Sequence, residues 1–138
     1  MEINFFREDV ACPGIDQDKY KNWILKVIDT HGKKCGDITF IFTSDEYLYK
    51  MNSKYLNHHY YTDVITFDYS KNDILSGDIF ISIDRVKENA DRYEVTFINE
   101  LSRVIIHGVL HLAGFKDNTS EEKEKMREEE DKALRLLA

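Results

Sequence analysis

Hydrophobic and polar positions alternate with a period near two in four short stretches, 2–8, 37–43, 63–69 and 78–83, each rich in β-branched and aromatic residues. That period puts successive side chains on opposite faces of an extended chain and predicts four strands. Between them the period lengthens. From Asp16 to His31, Tyr20, Trp23, Ile24, Val27 and Ile28 fall at helical intervals before Gly32, which predicts a helix joining the first two strands. A second helix is predicted behind Ser44-Asp45-Glu46, with Tyr47, Leu48, Met51 and Tyr55 as its apolar stripe. Residues 84–93 predict a short polar helix. Thr96 opens a longer one that carries Ile98, Leu101, Ile105, Val109 and Leu112 toward the core and ends at Gly114. Thr119 and Glu122 have capping-box spacing for a last, highly charged helix reaching Leu136-Leu137. Strands interleaved with and then followed by helices predict an α+β fold, a small mixed sheet of about four strands with helices packed on it.

Composition narrows the class. The chain has 138 residues, 42% of them hydrophobic, with one proline, six glycines and no repeat or linker-like tract, so one domain over 1–138 is expected. Apolar runs such as Val104-Ile105-Ile106 fall far short of the roughly 20 residues that cross a bilayer. The start, Met1-Glu2-Ile3-Asn4-Phe5-Phe6-Arg7-Glu8, has no signal-peptide pattern, and a cytoplasmic protein is expected. Cys12 and Cys35 form no CxxC pair and read as ordinary thiols. With 19 basic and 26 acidic residues the net charge is −7, so overall charge offers a polyanion no attraction; a nucleic-acid role needs a local basic surface or a metal.

The chemistry concentrates in 107–117, His-Gly-Val-Leu-His-Leu-Ala-Gly-Phe-Lys-Asp, at the end of the predicted core helix. Histidines at i and i+4 stand one above the other on a helix face, and both can reach one ion at about 2.0–2.1 Å. Gly114 permits the turn that brings Asp117 back across the helix end. His107, His111 and Asp117 thus form a three-ligand set for a metal, zinc foremost, with a fourth position open to water. Two histidines at this interval also arise by chance on ordinary helices, but here a glycine and a carboxylate follow at the spacing of one group of zinc peptidases. Those peptidases place a glutamate base directly after the first histidine, where this chain has Gly108. A glycine inside a helix costs about 1 kcal/mol relative to alanine, which implies close approach or open space there, room for a bulky substrate being one reading.

The segment His107-Gly108-Val109-Leu110-His111-Leu112-Ala113-Gly114-Phe115 resembles the H-G-x-L-H-L-x-G-Y-D-H signature of the YbeY-like endoribonucleases. Tyr61-Thr62-Asp63-Val64-Ile65-Thr66-Phe67 is similar to that family's P-T-D-V-L-S-F strand, and Gly77-Asp78-Ile79-Phe80-Ile81-Ser82 to its G-D-I-x-I-S strand. Met51-Asn52-Ser53-Lys54-Tyr55 matches its L-N-x-x-Y helix end, so the resemblance spans about 37–135. The sequence departs where Lys116 and Asp117 replace Asp and the third histidine, and where Leu56 replaces a functional arginine. The resemblance implies a metal-dependent endoribonuclease acting on single-stranded RNA in ribosomal RNA maturation and ribosome quality control, with small-subunit ribosomal proteins as partners.

No general acid or base is assigned. Lys54, His58, His59 and Arg103 are candidate replacements for the missing arginine, though each also reads as an ordinary surface residue. Asp63 and Asp78 suit either turn caps or acceptors for a histidine N–H beside a metal. His58-His59-Tyr60-Tyr61 suits base stacking or a loop of packed tyrosines, and the acid-rich run from Glu121 to Asp131 reads as a solvated helix face. Two competing functions remain, a small metallopeptidase and a non-catalytic ribosome-assembly factor with a structural metal closed by Cys12 or Cys35.

Overall fold

The computed structural model describes residues 2–137. Its elements run β1 (Ile3–Arg7), α1 (Gln17–Thr30), β2 (Lys34–Thr43), α2 (Asp45–Leu56), β3 (Val64–Asp68), β4 (Ile74–Ser82), α3 (Ile83–Arg92), α4 (Phe97–Leu112) and α5 (Ser120–Arg135). The strands form one sheet in the order β1-β2-β4-β3. β1, β2 and β4 are parallel, and β3 pairs antiparallel with β4 as the edge strand. The sheet is therefore mixed, as the order of strands and helices along the chain predicts. No helix among the described residues is long and apolar enough to cross a membrane.

Local chemistry accounts for most boundaries. Asp16, Ser44, Ser82, Thr96 and Thr119 each accept a backbone N–H of the first turn of the helix they precede, and Thr119 with Glu122 completes the capping box. β4 starts at Ile74, four residues before the alternation becomes clear, because Lys71 and Ile74 exchange backbone hydrogen bonds around a tight turn with Asn72 at φ 56°.

One face of the sheet is buried. Ile38, Phe40 and Phe42 of β2 and Ile79 and Ile81 of β4 join Trp23, Ile24 and Val27 of α1 and Leu101, Ile105 and Val109 of α4 in a single core. α4 lies close on β4, and glycine makes this possible twice. A Cβ on Gly108 would stand 2.8 Å from Ile79 Cγ2, and one on Gly77 would stand 2.8 Å from Leu112 Cδ2. Gly108 therefore serves close approach of helix to sheet, and the reading of it as room for substrate is corrected.

Two apolar positions escape the core that their spacing implies. Ile98 on α4 is 43% exposed, near the helix start where no layer covers it, and Tyr55 on α2 is 60% exposed. On α2 only Leu48 and Asn52 are buried, so most of its apolar stripe lines an open groove over the other face of the sheet.

Candidate metal centre and its cleft

α4 buries residues around most of its circumference, but His107 and His111 lie on its half-buried flank, beside edge strand β3 and helix α5. After Leu112 the helix ends in a Schellman arrangement. Gly114, at φ 103°, donates to His111 O, and Phe115 N donates to Leu110 O. The reversal carries Asp117 back to the histidines, with Oδ2 3.3 Å from His107 Nε2 and 3.6 Å from His111 Nε2. The two Nε2 atoms are 2.9 Å apart.

These distances suit a shared cation. Four ligands at about 2.0–2.1 Å in a tetrahedron lie roughly 3.3 Å from one another, which is the middle of this triangle. The other ring nitrogens carry a second constraint. Glu130 Oε2 on α5 accepts from His107 Nδ1 at 2.6 Å, and the Phe115 carbonyl accepts from His111 Nδ1 at 3.0 Å. With both protons committed at Nδ1, two bare Nε2 lone pairs and a carboxylate oxygen converge, an arrangement that repels itself unless a positive ion or a proton sits among them. Among the described residues this trio is also the group of ligand atoms close enough to hold one ion. The C-terminal end of α4 adds its negative dipole end.

Electrostatics divide the pair. Burial opposes charge on His107, but its hydrogen bond to Glu130 and the negative charges of Glu130, Asp117 and Asp63 outweigh that and hold its pKa above the ordinary imidazole value. Burial and the neighbouring His107 hold His111 below that value.

Beside His107 opens a cleft of about 260 Å³, lined among others by Asp63, Glu100, Arg103, Arg127 and Glu130. Burial raises the pKa of both Asp63 and Glu100; the charge of Glu130 adds to the rise of Asp63 and that of Asp63 to the rise of Glu100. Arg103 is not an ordinary surface residue. Its guanidinium donates to buried Glu130 at 2.8 Å and to Asp131 at 2.7 Å, so a chain of charges runs Asp131, Arg103, Glu130, His107. The acid-rich run of α5 is correspondingly more than a solvated face, since Glu129 and Glu130 are buried within it.

The profile of the family described as endoribonuclease YbeY matches residues 5–138. A protein of Parabacteroides distasonis named endoribonuclease YbeY is 47% identical over 137 residues, covering 99% of this chain and 96% of that protein. One of Christiangramia forsetii with the same name is 50% identical over 136 residues, covering 99% and 94%. A solution structure of a Thermotoga maritima protein superposes with a TM-score of 0.69 at 26% identity, over 99% of this chain and 89% of that one.

The chain belongs to the endoribonuclease YbeY family.

Against the YbeY signature, Asp117 stands where the third histidine is usual, and its carboxylate reaches the position a ligand there would need. Leu56, in place of the arginine, is exposed at the end of α2. The candidate substitutes divide. Arg103 lines the cleft, whereas Lys54 lies over the Tyr55 ring, His58 stacks on Tyr60, and His59 pairs with Ser53. Arg127 also reaches the cleft and was not singled out by spacing. Asp63 and Asp78 do not orient the histidines, because Glu130 and the Phe115 carbonyl occupy both Nδ1 positions; Asp78 instead accepts from Tyr69 Oη. Glu130 was not singled out either, although its spacing from Met126 and Ala133 puts it on the apolar face of α5, which is the signal that could have found it.

Proposed function

We propose that this chain is a single-domain, zinc-dependent endoribonuclease that cuts single-stranded RNA in ribosomal RNA maturation and ribosome quality control. His107, His111 and Asp117 hold one ion, and small-subunit ribosomal proteins are its partners in the cytoplasm. The observation that carries the reading is the convergence of two Nδ1-anchored histidines and Asp117 on one point beside a cleft. When bound there, a divalent ion supplies Lewis acidity toward a phosphoryl oxygen and an activated water near neutral pH.

The protein's residues do the rest. Glu130 and the Phe115 carbonyl keep the Nε2 lone pairs aimed at the centre, and Arg103 holds Glu130 in place. Arg103 and Arg127 set two guanidinium groups on the cleft wall, where they favour a phosphodiester. Asp63 and Glu100, both held above the usual carboxylate range, are the groups in the cleft suited to exchange a proton during attack or departure.

The metallopeptidase reading is disfavoured by packing, because any side chain at position 108 would run into Ile79 and a glutamate base has no room there. A structural ion closed by a thiol is disfavoured too, as Cys12 and Cys35 lie outside the ligand group. The test is zinc content of the purified protein and of Asp117→Ala, with cleavage of a single-stranded ribosomal RNA fragment in the same samples. Near one equivalent of zinc, lost together with cleavage in the variant, is expected. Zinc without cleavage would favour the assembly factor, and absence of metal from the wild type would overturn the proposal.

A further inference from the structure

The sheet has a second face, and α2 covers it only in part. Between them runs an open groove of about 590 Å³. Its floor is Phe67 of β3 and Phe80 of β4, packed edge to face with ring centroids 5.9 Å apart. Tyr55 and Tyr69 stand on its rims, 60% and 58% exposed, with large parts of their rings facing solvent. Lys50 and Lys54, exposed and one helical turn apart on α2, line the same groove. Asp78 is the one acid in the lining, and it accepts a hydrogen bond from Tyr69 Oη. The lining carries two ammonium groups and one carboxylate, with Asp9 near enough to act on Lys50, and Glu8 and Asp9 on Tyr47, at one end, in a chain whose net charge is −7. Open aromatic rings flanked by lysines are what unpaired bases and their phosphates need, since every base offers a flat face and every linkage one negative charge.

The groove and the metal cleft lie on opposite faces of the sheet at the same edge. Edge strand β3 is shared between the two: Val64 lines the cleft, and Phe67, on the opposite face, lines the groove. Tyr55 on the groove rim is joined to Asp63 in the cleft by residues 56–62, where His58 and exposed Tyr60 stack at 5.2 Å and exposed Tyr61 packs on Tyr49. A strand rounding the free edge of β3 meets aromatic rings along that route.

We infer that the α2–sheet groove is a binding track for single-stranded RNA, holding nucleotides outside the metal cleft by stacking on Tyr55 and Tyr69 and by phosphate contacts to Lys50 and Lys54. The track gives an acidic protein with Leu56 in place of an arginine a way to hold a polyanion, by stacking on exposed rings together with two lysines. It rests on the reading of the chain as an enzyme acting on RNA.

The test is fluorescence-anisotropy titration of a labelled uridylate dodecamer with the full chain in the presence of a metal chelator, so that binding is read without cleavage. Tyr55→Ala and Tyr69→Ala are expected to weaken binding about 5- to 150-fold each, from roughly 1–3 kcal/mol per stacked base. Lys50→Gln combined with Lys54→Gln is expected to lower the slope of log affinity against log salt by about 1.4, at roughly 0.7 per phosphate contact on single strands. Leu25→Ala, an exposed apolar residue on α1, is the control and binds as wild type. Thermal melts identify any variant that fails to fold, and the lysine pair, fully on the surface, keeps the test open if a tyrosine variant does. Affinity and salt slope unchanged in all groove variants would overturn the track, leaving that face to a protein partner. A zinc-loaded wild type that binds the dodecamer through the groove but never cuts RNA would instead sink the hydrolase reading while the track stood.

Discussion

Glu130→Gln is the substitution that isolates the anchoring of the metal centre from its ligands. Glu130 is 5% exposed and uses both oxygens, Oε1 accepting from Arg103 and Oε2 from His107 Nδ1. Glutamine keeps the shape but replaces one acceptor with an NH₂ donor. If that donor faces Arg103, two donors oppose each other. If it faces His107, Nδ1 becomes the acceptor and the ring proton moves to Nε2, where it blocks the ligand lone pair. Both orientations also remove the negative charge that strengthens His107 as a ligand. Loss of such an outer partner weakens metal binding about 10- to 100-fold, or roughly 1.4–2.7 kcal/mol. When the NH₂ faces Arg103 the folded protein loses about 1–3 kcal/mol besides, because Arg103 then keeps only its partly exposed bond to Asp131. The assay is a zinc competition titration against a chromophoric chelator at neutral pH, with urea melts of the chelated protein alongside. Zinc affinity within twofold of wild type in a normally folded Glu130→Gln would refute the anchoring role.

Gly108→Ala gains about 1 kcal/mol of helix propensity but meets Ile79, and overpacking of about 1–3 kcal/mol should leave it less stable, with a lower Tm; a higher Tm would show that the contact relaxes freely. Gly114→Ala meets no neighbour but forces an alanine to φ 103°, and a loss of about 1–2 kcal/mol in denaturant melts is expected. In the metal-free protein the raised pKa of His107 means the folded state binds its proton more tightly than the unfolded one. That contribution is full below the ordinary imidazole value and is lost as pH rises through the raised folded value. His111 acts in the opposite sense, so comparing pH-dependent urea melts of wild type with His107→Gln should isolate the His107 slope, and identical slopes would refute it. With zinc present the order reverses, since a proton competes for His107, and affinity should start to fall on acidification before pH reaches the ordinary imidazole value.

The sequence by itself determined what is local. Side-chain period identified every strand and helix, cap chemistry set most helix starts, and i, i+4 spacing put His107 and His111 on one flank with Gly114 to turn Asp117 back toward them. Each of these depends on neighbours within a turn or two of chain. Tertiary packing decided the rest. Glu130 lies 23 residues from His107; its spacing from Met126 and Ala133 puts it on the buried face of α5, away from exposed Glu128, but only the packing of α5 on α4 shows that the face meets His107. Arg103 became part of the centre by the same crossing. A glycine at 108 signalled close approach without saying to what, because the partner, Ile79, arrives on a distant strand. The apolar stripe of α2 predicted a helix but not its cover, since amphipathic spacing records which side of a helix is greasy and not whether a neighbouring layer covers it. Here the sheet extends past the helix, and Tyr55 stays at the surface.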